Sequence, residues 1–478
     1  MGAFTDRGEE IALDAASRAR LEEHIGQAIR RARSGDGGVL AAVTVPLPSD
    51  VDPVGVIAAS RRPGEPWFAF EQPDADRSAL AALGAVVAIE AGGRDRFAVV
   101  AGRWRRLAAD AVTDSSEGVR GAGLVAVGGF AFADEGAAAA HWQGFAPASL
   151  VVPEVAIARV GDRARLTVAV LAHPDDTVED LGARVATRLA ELRFASLPLL
   201  DPSPVVAARV ESAMPPEHYV GAVERAIERI RGGELEKVVL AREVLVHASS
   251  TQDPGAIHGA LRERFGSCYA FCVGRGERTF VGATPELLVR RRGMRATTLA
   301  LAGTARRSAD PAVDDHLAEQ LLRSAKNRGE QAIVTRRIER ALRRHAVWVT
   351  AADEPVVVRM ANVQHLATPI RAQLRESVDV LELVATLHPT PAVGGEPAQQ
   401  ASELIPALEG FDRGWYAGPV GWIDIDGDGE FCVALRCALL DGPEARCYAG
   451  VGVVAESDAA SELAETDAKL EALLPVLA

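Results

Sequence analysis

Residues 418–454 read GPVGWIDIDGDGEFCVALRCALLDGPEARCYAGVGVV. Apolar side chains crowd Gly418–Ile425, Glu430–Leu440 and Arg446–Val454, and Asp/Gly/Pro clusters separate the three runs. Short apolar runs bounded by turn residues predict consecutive strands. A helix is expected from about Asp458. In it Glu462, Glu465 and Lys469 stand three and four residues apart, so they share one face. Leucines at 463, 470, 473, 474 and 477 supply apolar contacts elsewhere on that helix.

The same alternation extends towards the N-terminus. Lys237–His247, Tyr269–Gly274 and Thr279–Ala283 read as strands. His218–Arg231 and a long stretch from about Val313 to His345 read as helices. Earlier still, residues 11–34 predict an amphipathic helix with Leu21, Ile25 and Ile29 at helical spacing. Strands are expected at Val39–Val45, Trp67–Phe70, Ala85–Ala91, Phe97–Val100, Leu124–Phe132, Val151–Val160 and Leu166–Ala172, and a helix at Thr177–Leu192. Pro198, Pro202, Pro204, Pro215 and Pro216 punctuate residues 193–215. They mark either a boundary between a strand-rich part, 1–200, and a second part, 215–478, or a connector crossing one large fold.

The chain has 478 residues, 48% hydrophobic and 25% charged, enough for a large core. Its net charge of -14 argues against nucleic-acid binding, which needs a concentrated basic face. No uncharged apolar run approaches the length of a membrane span. The start, MGAFTDRGEE, has no apolar signal segment and carries Asp6 where myristoylation needs Ser or Thr. A cytoplasmic protein is expected. Five cysteines without CxxC spacing predict small buried side chains in a reducing compartment rather than a zinc or redox site.

Two motifs invite over-reading. Asp424-x-Asp426-x-Asp428-Gly429 begins like a calcium loop, but its twelfth position is Leu435, so a solvated hairpin turn is expected. Gly450-Val451-Gly452 is half of a dinucleotide fingerprint; between a strand and a helix start it suits a backbone nest for an anion.

Other residues carry chemistry. In Lys326-Asn327-Arg328-Gly329-Glu330, Asn327 and Glu330 share a face that Val334 and Ala341 continue, so the carboxylate is expected to turn inward. Oxygen donors from two helices, completed by water and a substrate carboxylate, suit Mg2+; the alternative for the last helix is a solvated Glu–Lys pair. In Phe280-Val281-Gly282-Ala283-Thr284-Pro285-Glu286, Glu286 is either a desolvated general acid or a helix-start carboxylate. Lys237 opens an apolar strand and either snorkels to the edge or acts as a base.

In order, KVVLAR, FVGATPELL, LALAGTARR, AKNRGEQ, VQHLATP, LHPTPAVGGEP, GWYAGPVGWIDIDGDGEFCVALRCA, YAGVGVV and ELAETDAK cover most of residues 237–469. This stretch resembles the chorismate-utilising enzymes: isochorismate synthase, salicylate synthase, and the synthase subunits for anthranilate and aminodeoxychorismate. The earlier part, with GGFAF and Pro153-Glu154, resembles the less constrained leading part of isochorismate synthases.

The resemblance implies an α+β fold in which large mixed or antiparallel sheets pack as a central sandwich with helices outside. It implies Lys237 as base, Glu286 as acid and His365 beside the ring. Gly303, Thr304, Ala392, Tyr416, Arg436, Gly450, Gly452 and Lys469 would hold the substrate. Glu330 and Glu465 would hold Mg2+, with Glu462 and Asn327 nearby. Within the family, Lys237 and Ala392 favour water as nucleophile and isochorismate as product. The alternatives are salicylate synthase, an ammonia-using synthase subunit, and a silent binding protein. Asn327, Gln331 and Ala325 depart from frequent residues of the metal helix. A monomer is expected, with a homodimer as the alternative, and the pathway, menaquinone or catechol siderophore, stays open.

Overall fold

The structure is a computed structural model that describes residues 11–477 except 36, 115–117, 201–207 and 361–362. The N-terminal decapeptide and Pro202 and Pro204 therefore lie outside the described residues.

Two antiparallel sheets form the body. The first, of twelve strands among the described residues, runs in the order Val39–Leu47, Arg163–Ala172, Val155–Val160, Ser78–Leu83, Trp67–Gln72, Tyr269–Arg275, Arg278–Thr284, Cys437–Asp441, Glu444–Val453, Lys237–His247 and Gly395–Glu396, with Arg209–Ser212 also on Lys237–His247. The second, of ten, runs Ala346–Ala351, Val363–Leu374, Arg295–Arg306, Leu287–Arg292, Gly429–Val433, Pro419–Asp424, Val125–Phe130, Ala148–Val152 and Val87–Ala91, with Val356–Arg359 on Val363–Leu374. Both sheets cross the proline-marked segment. Phe70 pairs with Phe271 in the first, and Gly129 with Val420 in the second.

Strand Trp67–Gln72 shows why the runs are continuously apolar. Phe68 and Phe70 enter one core cluster with Phe130, Phe271, Trp415 and Phe431, while Trp67 and Ala69 enter another with Ile25 and Ile257 of flanking helices. A strand covered on both faces needs no polar alternation.

Several expectations need correction. Phe97–Val100 lies in a helix, Arg96–Asp110, with Phe97, Val100, Ala101 and Trp104 buried at positions i, i+3, i+4 and i+7; four apolar residues in a row hid that period. The long helix is two, Pro311–Arg323 and Ala325–Leu342. Ser324 leaves helical geometry between them, and its hydroxyl accepts the Asn327 amide. Glu430–Leu440 is also two strands, parted at Arg436, whose φ is 47°. Val151–Val160 divides at Pro153-Glu154. Gly450 and Gly452 are not in a loop but inside strand Glu444–Val453, paired with Ala241 and Val239.

The Asp424–Asp428 run is the expected hairpin turn, with Asp428 held by Arg291. All five cysteines are buried and free. Among the described residues, no helix is long and apolar enough to cross a membrane.

Candidate active site

One cleft, enclosing about 860 Å³, lies where the ends of both sheets meet helices Ala325–Leu342 and Ala459–Leu470. That size suits a small ligand. Of the fifteen residues expected at the site, fourteen line it: Glu286, Gly303, Thr304, Asn327, Glu330, His365, Ala392, Tyr416, Arg436, Gly450, Gly452, Glu462, Glu465 and Lys469. Lys237 is the exception. It is 1% exposed, and its Nζ lies 2.9 Å from Oε1 of Glu330, which does line the cleft.

Lys237 begins a strand buried along most of its length. It is stowed beside Glu330 because Gly452 has no side chain. A Cβ at that position would stand 2.2 Å from Glu330 Oε1 and 2.8 Å from Lys237 Cε. Gly450 makes room in the same way for the Tyr416 hydroxyl, 2.7 Å from where its Cβ would be. These two glycines provide space in a paired strand, not the expected backbone nest.

Glu286 occupies the short link between strands Arg278–Thr284 and Leu287–Arg292 rather than a helix start. Burial pushes its carboxyl up to about 7, although the charges of Lys237 and Lys469 and a bond from Thr390 oppose this. Gly303 is not in a turn but at a bulge, where the register of Arg295–Arg306 against Val363–Leu374 shifts. Its φ is 74°, and Asn327 packs against its bare face. The bulge aims Thr304 and the Gly303 carbonyl at His365.

His365 Nδ1–H donates to the Gly303 carbonyl and to Thr304 Oγ1, both at 3.2 Å. Its Nε2 therefore accepts from Arg436 Nη2 at 2.6 Å. Burial, then the charges of Arg436 and Lys469, hold the imidazole well below its ordinary value, so it is neutral. A neutral ring that accepts from Arg436 is an orienting group.

Three lysines match three carboxylates at the other end. Lys237 holds Glu330, Lys326 holds Glu462 at 2.8 Å, and Lys469 holds Glu465 at 2.9 Å while also donating to the Gly450 carbonyl. Arg436 has no carboxylate partner among the described residues, so it is left to receive an anion. Lys326 was missed in the sequence, although it stands one helical turn before Glu330.

Would these residues hold magnesium? The donors are oxygens from Glu330, Glu462, Glu465 and Asn327 in one cleft, and they suit a hard cation. Among the described residues no three potential ligands form a ready cage. Mg2+ commonly keeps several waters and takes one or two carboxylates plus a substrate oxygen. Gln331 does not line the cleft; its side chain donates to the Ala300 carbonyl and Thr368.

The sequence profile described as "chorismate binding enzyme" matches residues 27–478. The chain belongs to this enzyme family. It is similar to the salicylate biosynthesis isochorismate synthase of Pseudomonas aeruginosa, with 37% identity over 97% of this chain and 94% of the relative. It is 34% identical to the isochorismate synthase MenF of Bacillus subtilis over 74% of this chain and 75% of that one. Among solved structures, the menaquinone-specific isochorismate synthase MenF of Escherichia coli superposes with a TM-score of 0.77 at 28% identity, covering 96% of this chain and all of that one. The α+β architecture is thus that of the chorismate-binding enzymes, with both sheets and the cleft between them.

Proposed function

We propose that this chain is a magnesium-dependent isochorismate synthase. Chorismate has two carboxylates, a ring diene and a 4-hydroxyl. Water adds at C2 and the 4-hydroxyl leaves as water, so the product is an isomer of the substrate. The reaction needs a base, an acid and a cradle for two anions.

The observation that carries the reading is a buried Glu286, protonated up to about pH 7, in one cleft with Glu330, behind which Lys237 is paired. Glu286 gives its proton to the departing hydroxyl. Lys237, in its neutral amine form, takes a proton from the incoming water. Arg436, oriented by His365, forms a two-pronged bond to one carboxylate. Glu330 and Glu465 would hold Mg2+, which when bound neutralises the other carboxylate and orients it.

Two residues support water over ammonia and release over further elimination. By resemblance, ammonia-using relatives generally lack a lysine at the place of Lys237. Anthranilate- and salicylate-type relatives usually carry Thr at the place of Ala392.

Incubation with chorismate and Mg2+ followed by product separation tests this. Isochorismate alone is expected. Salicylate with pyruvate would favour a salicylate synthase, and anthranilate formed with ammonia would overturn both. Lys237→Ala is expected to lower turnover by more than about a hundredfold while chorismate still binds by calorimetry. Unchanged turnover would remove Lys237 from the reaction.

A further inference from the structure

A second cleft, open and of about 2000 Å³, lies against the same loop that carries Ala392. His388 and Pro389 line it, whereas Ala392 and Val393 line the first; the two clefts share no lining residue. One part of its wall is apolar, with the rings of Phe97, Phe132 and Phe411 beside Ile405 and Pro406; the rest is charged, with three arginines and four carboxylates. Phe97 and Phe132 flank His388, each with its ring centroid 5.9 Å away.

Two polar atoms here are buried and lack partners. His388 Nε2–H donates to the Phe132 carbonyl at 2.9 Å, which leaves Nδ1 as an acceptor without a donor. Burial holds this imidazole down to about 4, so it stays neutral. Arg96 gives its outer nitrogens to Asp134 and to the Ala131 carbonyl, which leaves its Nε–H a donor without an acceptor. Buried groups of this kind call for a bound polar partner. At the rim, Arg94 is exposed and has no ion-pair partner among the described residues. Asp134, Glu135, Glu409 and Asp412 also line the cleft and disfavour a second negative charge.

We propose that this second cleft binds a small aromatic monocarboxylic acid that also carries a hydroxyl. The ring seats against Phe132 on the open side of the cleft, the hydroxyl donates to His388 Nδ1, and the carboxylate meets Arg94 and the Arg96 Nε–H.

Arg413 links such a ligand to the first cleft. Its guanidinium lies 4.3 Å over the Phe132 ring and pairs with buried Glu409. It donates to the Val393 carbonyl at 2.8 Å and the Val239 carbonyl at 2.9 Å, and both residues line the first cleft. Glu409 also accepts the Ala241 amide at 2.6 Å. A ring seated on Phe132 therefore presses on the group that ties the strand of Lys237 to the loop of Ala392.

The test is calorimetric titration of the full chain, without metal, using 4-hydroxybenzoate, benzoate and phenol. Ala385→Trp and Ser402→Trp fill the cleft from exposed helical positions, and Arg436→Ala disables the first cleft instead. We expect 4-hydroxybenzoate to bind about tenfold tighter than either fragment, the factor of one hydrogen bond. Binding should weaken about tenfold or more in both Trp variants and persist in Arg436→Ala. No binding, equal binding of benzoate, survival in the Trp variants, or loss in Arg436→Ala would each overturn the site. In turnover assays 4-hydroxybenzoate should shift the KM for chorismate in the wild type and not in the Trp variants. An unmoved KM would overturn the link through Arg413. The binding arms need no turnover, so they stand apart from the proposed reaction.

Discussion

Glu286, the proposed acid, shows how surroundings alone can set a carboxyl's hold on its proton. It follows a proline between two strands, is 4% exposed, and holds its proton to about pH 7 because burial outweighs the nearby ammonium charges. An acid must be protonated to act, so this group supports turnover below about pH 7 and withdraws support as pH rises through it. A plot of kcat/KM against pH should therefore fall on its alkaline side near pH 7. Glu286→Gln should be low throughout and lose that limb. An unchanged limb in the variant would assign it to another group.

At this scale the residue types were legible, but their partners were not. The motif blocks pointed to fourteen residues that do share a cleft. They could not show that Lys237 sits behind Glu330, or that Lys326 answers Glu462, because those pairs join residues remote in sequence. The Glu409–Arg413 pair has i,i+4 spacing and was open to view; what hid its role was its reach to Val239 and Val393.

At the scale of elements, the site is a meeting of strand Glu444–Val453 with helix Ala325–Leu342 across a bare glycine. Gly452→Ala puts a methyl group against Glu330 and Lys237. The obstructing atoms lie at or next to the ends of side chains, not on the backbone, so the fold should survive with little change in melting temperature. Their pair should be pushed aside. Magnesium binding by calorimetry is expected to weaken about tenfold, and turnover with it, as for loss of one charge-assisted bond. Normal metal affinity would show that the two side chains have room elsewhere.

Element types were mostly legible where apolar period and turn residues agreed. They failed where a break needed one residue. Ser324 ends one helix by capping the next, and Arg436 turns a run of apolar residues into two strands. In both places the break serves the cleft: one starts the helix of Glu330, and the other aims Arg436.

At the scale of the whole molecule, the two halves are interlaced. The first sheet joins them at Trp67–Gln72 with Tyr269–Arg275, and the second at Val125–Phe130 with Pro419–Asp424. Buried Glu71 and His258, 2.6 Å apart, and Asp52 with Arg262, at 2.8 Å, bind the same seam. A fragment of residues 208–478 should expose strand edges and half of each core. It is expected to show no cooperative thermal transition by circular dichroism, whereas the full chain melts in one step. A folded, chorismate-binding fragment would overturn this. The prolines of 193–215 flagged a change along the chain, but strand pairing between distant segments leaves no local trace.

The interlacing also sets an order of events on the ribosome. Val125–Phe130 emerges early but waits for Pro419–Asp424, which is made almost three hundred residues later. Until then a nascent chain carries an unpaired apolar edge, a surface that chaperones hold and neighbouring chains stick to. Glu462, Glu465 and Lys469 emerge long after Asn327 and Glu330, so a chain stopped before helix Ala459–Leu470 would have built most of its core and only one side of the proposed metal-binding end.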